Sequence, residues 1–140
     1  MKYRYSIAIG ASLLMFVVYL VTNKNVPATA QTAASDSPSF VVPESFSSSE
    51  QLGKLAFSAK CQSCHGENAL GNAELAPPLI HKIYEPNHHS DEAFQVAVLL
   101  GVRQHHWRFG NMPPVEGLTK GDVKNIIAYV RALQAANGIF

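Results

Sequence analysis

The run Cys61-Gln62-Ser63-Cys64-His65 holds both cysteines of a 140-residue chain, and a histidine follows the second one directly. Two cysteines three apart with an adjoining histidine form the attachment pattern of a c-type haem. Each part has a chemical task. Each thiol adds across one vinyl group of the porphyrin. The two-residue gap makes about one helical turn, so both sulfurs face the same edge of the macrocycle. The histidine that follows offers an imidazole nitrogen to the iron. Other readings of two cysteines are weaker. A thioredoxin-like dithiol wants a βαβ setting, whereas a helical pattern precedes this motif. A four-cysteine zinc site is excluded by count. A mixed Cys/His zinc site stays open, although none of the other five histidines has H-x₃₋₅-H spacing with another. A disulfide across three residues would be strained and leaves His65 unexplained.

Working outward, Ser47 with Glu50 three residues later has capping-box spacing. The helix it opens is expected from about Glu50 to Lys60, with Leu52, Leu55, Ala56 and Ala59 as its apolar stripe and Gly53 and Phe57 beside it. It leads straight into Cys61. Beyond the motif, Gly66 to Pro78 reads as a loop, because Pro77-Pro78 forbids a regular helix or a central strand. Leu79 to His89 is short and irregular. Ser90, Asp91 and Glu92 read as an N-cap with an acidic first turn. Phe94, Ala97, Val98 and Val102 then recur at helical spacing, with Gly101 near the end. Arg103 to Glu116 is a second loop, holding Trp107, Met112, Pro113 and Pro114. Thr119 and Asp122 form another capping box, and Val123, Ile126, Ile127, Val130 and Leu133 follow as an amphipathic stripe that stops near Gly138. No strand alternation and no internal repeat is visible. The expected class is all-α with long loops, and loops this long in a compact domain need an ordering body. A buried porphyrin is such a body.

Residues 1–22 read as a membrane anchor or signal peptide. Lys2 and Arg4 precede an uncharged run, Ile7 to Val21, and Lys24 follows it. The run sits between the length of a signal core and that of a spanning helix. An uncleaved anchor is expected, with the haem domain on the periplasmic side of the membrane; cleavage near Ala30, leaving a soluble periplasmic protein, is the alternative. Residues 23–46, rich in Ala, Ser, Thr and Pro, read as a flexible linker, and residues 47–140 as the haem-binding domain. The net charge is +1. Removing Lys2, Arg4 and Lys24 from the 11 basic residues leaves 8 against 10 acidic ones, a balance of about −2. No nucleic-acid footprint is present.

The second axial position of the iron has several candidates. Of three methionines, Met1 starts the chain and Met15 lies in the apolar run, so Met112 is the one within reach of a haem held at His65. Gly110-Asn111-Met112-Pro113-Pro114 brackets it in residues that restrict the backbone. His/Met ligation saturates the iron and raises its potential. His81, His88, His89, His105 and His106 offer the competing bis-histidine arrangement, or a separate copper or zinc site at the His88-His89 and His105-His106 pairs; isolated loop histidines are more often solvated surface. Trp107 reads as core, or as an indole N–H donor to a haem propionate, an acceptor that Arg103 or Arg108 would also suit.

These residues resemble a class I cytochrome c of the small bacterial type over about residues 47–137. Gly53, Phe57 and Cys61 stand four apart, as in the first helix of that family. Ile126 and Tyr129 in IIAYV match its last helix, which crosses the first at the glycine. Pro77 and Leu79 resemble its Pro-x-Leu, and Met112-Pro113-Pro114 with Trp107 upstream resembles its small bacterial members. The chain departs from the family in the histidine content of its two loops and in lacking a lysine ring at the expected haem edge. The resemblance implies one covalent haem c, with Cys61, Cys64, Pro77, Leu79 and Trp107 around it, His65 and Met112 on its iron, and the Pro77 carbonyl accepting the N–H of His65. The expected function is one-electron transfer in an extracytoplasmic chain with redox protein partners. A haem subunit or electron-entry domain of a larger membrane oxidoreductase stays open, as does a haem enzyme or gas sensor in which Met112 is displaced.

Overall fold

Four α-helices and two short 3₁₀ turns make up the regular structure of residues 40–140, the part of the chain that the computed structural model describes. The apolar run Ile7 to Val21, expected to anchor the chain, lies outside the described residues, as do residues 23–39 of the expected linker. Among the described residues no helix is long and apolar enough to cross a membrane.

Helix α1 spans Ser48–Lys60. Its start is fixed by the capping box: the Ser47 hydroxyl accepts the Glu50 N–H at 3.4 Å, and the Glu50 carboxylate accepts the Ser47 N–H at 2.7 Å. Its buried face differs from the expected stripe. Leu52 and Leu55 are 56% and 70% exposed and Ala59 is exposed, whereas Gly53 and Phe57 are buried. The physical reason is close approach. A Cβ at Gly53 would lie 1.9 Å from the Asn125 carbonyl oxygen, so the other long helix crosses here because there is no side chain. That crossing turns the leucines outward.

Helix α2 is the single turn Gln62–His65, directly after α1 and ended by Gly66 at φ +74°. A 3₁₀ turn at Glu67–Ala69 follows, and a second at Lys82–Tyr84. Helix α3 spans Asp91–Leu100, capped by Ser90. It stops at Gly101, whose φ is +75°, so Val102 is not helical as the periodicity suggested. Instead Val102 and Met112 form an antiparallel bridge, and a Cβ on Gly101 would sit 2.5 Å from the Met112 carbonyl oxygen. Helix α4 spans Lys120–Ala136, opened by the expected box between Thr119 and Asp122.

The core lies where α1 meets α4. Phe57, Ala69, Ile126, Tyr129, Val130 and Leu133 form one buried cluster, with Leu79, Ile80, Phe94 and Cys61 packed against it. Full burial of each large member contributes about 1.5–3 kcal/mol. Tyr129 is central: its ring centroid lies 5.7 Å from that of Phe57 and 5.4 Å from that of Phe46. Residues 40–46, the described end of the expected linker, are docked on the domain. Phe40 and Phe46 pack on the core, and Asn137 both accepts the Val41 N–H at 2.9 Å and donates to its carbonyl at 2.8 Å.

Candidate functional site

Cys61, Cys64 and His65 occupy the junction of α1 and α2. The Cys61 N–H bonds the Phe57 carbonyl at 2.8 Å and the His65 N–H bonds the Cys61 carbonyl at 2.9 Å, so the motif is wound as helix and bolted to the core through Phe57. Burial pushes the half-buried Cys61 thiol up to about 11, with Cys64 adding to it. At neutral pH that sulfur is therefore held uncharged, a state that thioether formation makes permanent. Cys64 is exposed.

His65 Nδ1 lies 3.0 Å from the Pro77 carbonyl oxygen. A carbonyl only accepts, so Nδ1 carries the proton and Nε2 keeps a free lone pair. Burial holds His65 below the ordinary histidine value, against the pull of the Pro77 bond, which favours the neutral ring that a metal requires. The chain just beyond Pro77 is held at Leu79 from two sides. The Leu79 N–H bonds the Ala69 carbonyl at 2.8 Å, and the Leu79 carbonyl accepts from Gln134 Nε2 at 2.8 Å. Gln134 is fully buried; it also donates to the Tyr84 carbonyl at 3.1 Å and accepts from Arg131 Nη1 at 2.7 Å. Neither Gln134 nor Arg131 stood out in the sequence. The signal was a polar residue four after Val130, on the apolar face of α4. Asn68, which accepts the Tyr129 hydroxyl at 3.1 Å and so ties the loop after the motif to α4, left no such trace.

Met112 is half-buried and held through its backbone on both sides: Val102 donates to its carbonyl at 2.9 Å and accepts its N–H at 3.0 Å. The loop between them is laced by two more bonds. The Gln104 N–H reaches the Asn111 side chain and the Gly110 N–H reaches the Gln104 side chain, each at 2.9 Å. Trp107 packs edge-on against His81 at 5.1 Å between ring centroids. Its indole N–H is buried and finds no acceptor among the described residues; the Tyr84 phenol approaches it without a bond of good geometry. Arg103 and Arg108 are exposed. Four of the remaining five histidines come together. His88 and His89 meet His105 and His106 across the two loops, with ring centroids 5.2–6.1 Å apart between the pairs.

Comparison with known families gives one assignment: the model of the family Cytochrome c matches residues 50–134. Comparison with curated proteins and with solved structures returns no match. The cofactor of that family is a covalently bound haem c with its iron. The residues present fit such a group in three respects. Two thiols sit one turn apart beside a histidine whose second nitrogen is open, an indole N–H lies buried without its acceptor, and Leu70, Leu75, Leu99 and Leu100 leave apolar side chains exposed on the first loop and at the end of α3. A matched span of more than half the chain, containing both the motif and the α1–α4 crossing, places this protein in the cytochrome c family.

Proposed function

We propose that this electron carrier works outside the cytoplasm, on a membrane tether formed by its N-terminal segment, and passes single electrons between redox protein partners. The observation that supports the reading most is the His65–Pro77 bond beside the two cysteines, because it fixes one tautomer and one ring orientation at the point where a haem iron would be held. Cys61 and Cys64 would hold a haem through two thioether bonds, His65 Nε2 and Met112 would ligate its iron, Trp107 would donate to a propionate, and Pro77 and Leu79 would pack beside it. Haem iron, when bound, supplies reversible one-electron exchange. The chain's own part is to position the two side chains that would ligate the iron. His65 is fixed by Pro77, and Met112 by its bridge to Val102 and by the two prolines after it.

Met112→Ala tests this directly. The ferric wild type should show the weak sulfur-to-iron band near the red edge of its spectrum and should not take up carbon monoxide when reduced. The variant should lose the band, bind carbon monoxide and have a lower potential, while acid–acetone still fails to extract the haem. A variant identical to wild type in band, potential and ligand binding would move the axial role to a histidine. Ready carbon monoxide binding by the wild type would replace the carrier with a haem enzyme or sensor.

A further inference from the structure

The four histidines of the two loops have no part in the carrier described above. His88 and His89 follow the 3₁₀ turn at Lys82–Tyr84; His105 and His106 lie in the loop that closes at the Val102–Met112 bridge. Their sequence spacing matches no chelating motif, and only the fold brings them together. His88 Nε2 and His106 Nε2 are 3.3 Å apart. One ligand atom from each of His88, His89 and His106 falls within a group spanning at most 4.8 Å.

Two features make this more than a crowd of exposed rings. The first is geometric. Imidazole nitrogens at about 2.0–2.1 Å from a tetrahedral zinc ion are separated by about 3.3–3.4 Å. The His88–His106 pair already has that separation, and both of those rings are exposed. The second is the anchoring behind the rings. His89 Nδ1 lies 2.6 Å from the Ile83 carbonyl and His105 Nδ1 lies 2.8 Å from the Arg103 carbonyl. Each Nδ1 must then carry its proton, which leaves each Nε2 as a lone pair, the carbonyl-backed arrangement of metal-ligating histidine. One feature opposes a cation: Arg131 Nη2 bonds the His89 carbonyl at 2.5 Å. Its charge is paired with Asp91 at 2.9 Å.

We infer that His88, His89 and His106, with His105 at their side, form a binding site for one zinc-type divalent transition-metal ion, separate from the haem. Bound there, the ion clamps the loop of residues 85–90 to the loop of residues 103–111. The second loop carries Trp107 and leads into Met112, so metal occupancy stiffens the backbone that presents Met112.

The test uses the untagged haem-loaded protein, stripped with chelator and dialysed against Zn²⁺, with bound zinc measured by elemental analysis and affinity by calorimetry. One zinc per chain is expected, with a rise in the thermal midpoint that Mg²⁺ does not produce. The double variant His88→Ala/His106→Ala removes two ligands. Because loss of an outer-shell partner alone typically weakens a site about 10–100-fold, it should bind zinc at least that much more weakly. Its unchanged haem spectrum would show that it is folded. His81→Asn keeps an acceptor for the Ile83 N–H and should bind zinc like the wild type. Absence of stoichiometric zinc in the wild type, or equal affinity in the double variant, would overturn the assignment and leave the cluster as a hydrogen-bonded contact between two loops.

Discussion

Replacing Gly53 with alanine adds one methyl group at the point where α1 meets α4. That Cβ would lie 1.9 Å from the Asn125 carbonyl oxygen, 2.5 Å from its carbon and 3.0 Å from the Ile126 nitrogen, where ordinary contact begins at 3.4 Å. All three are backbone atoms of a helix, so none can rotate away, and the two helices must part by about 1.5 Å. A radial gap of even 0.5–1 Å forfeits about a quarter to a half of the dispersion well. The residues that lose contact are Phe57, Ile126, Tyr129, Val130 and Leu133, each of which contributes about 1.5–3 kcal/mol by burial. A quarter of that total is about 2–4 kcal/mol, in line with the upper range for overpacked cores. Alanine's better helix propensity offsets about 1 kcal/mol. The net expectation is a loss of about 1–3 kcal/mol, or a thermal midpoint lower by about 4–20 °C for a domain of this size. Unfolding of the haem-loaded protein, followed by far-ultraviolet circular dichroism, measures it. Gly121→Ala is the control. Its Cβ would meet only the Thr119 hydroxyl, at 3.6 Å, so propensity alone acts there and the variant should be slightly more stable than wild type. A Gly53→Ala protein as stable as wild type would refute the close-crossing argument.

Three further outcomes are expected. Gln134→Leu keeps the volume but leaves the Leu79 carbonyl without its donor and Arg131 without one acceptor; urea unfolding should show a loss of about 2–4 kcal/mol, and an unchanged midpoint would mean that water replaces the amide. Gly101→Ala places a side chain at φ +75° and a Cβ 2.5 Å from the Met112 carbonyl oxygen, so it should lower stability and weaken the sulfur-to-iron band together; a drop in stability with the band intact would separate the Val102–Met112 bridge from the axial role of Met112. His89 is held below the ordinary histidine value, first by burial, and then by His88, His105 and Arg131, with the Ile83 carbonyl opposing them. Its folded-state pKa is thus lower than in the unfolded chain, which takes up the proton first as pH falls below about 6.5. Stability should therefore decrease from that pH until the folded-state value is passed, and the decrease between pH 8 and pH 5 should be smaller in His89→Gln.

The haem motif, the three helix starts and the stripe of α4 were legible in the sequence because each depends on residues within a turn or two of one another. Ser47 with Glu50, Ser90 with its acidic first turn, and Thr119 with Asp122 all cap as local spacing required. The family resemblance rested on equally local patterns, and the matched span agrees with it. The apolar stripe read for α1 misjudged which face is buried, although the resemblance already put the helix crossing at the glycine. Leucines at 52 and 55 outweigh a glycine by hydrophobicity, but the crossing with α4 rewards the missing side chain at Gly53. Likewise Val102 kept helical spacing with Phe94 and Val98, and only the return of the loop to Met112 turned it into a bridge. Gln134 and the His88, His89, His105 and His106 cluster belong wholly to the tertiary structure. Their partners across the fold stand between 16 and 55 positions away, and no short-range pattern encodes a contact made by closing two loops over a helix core.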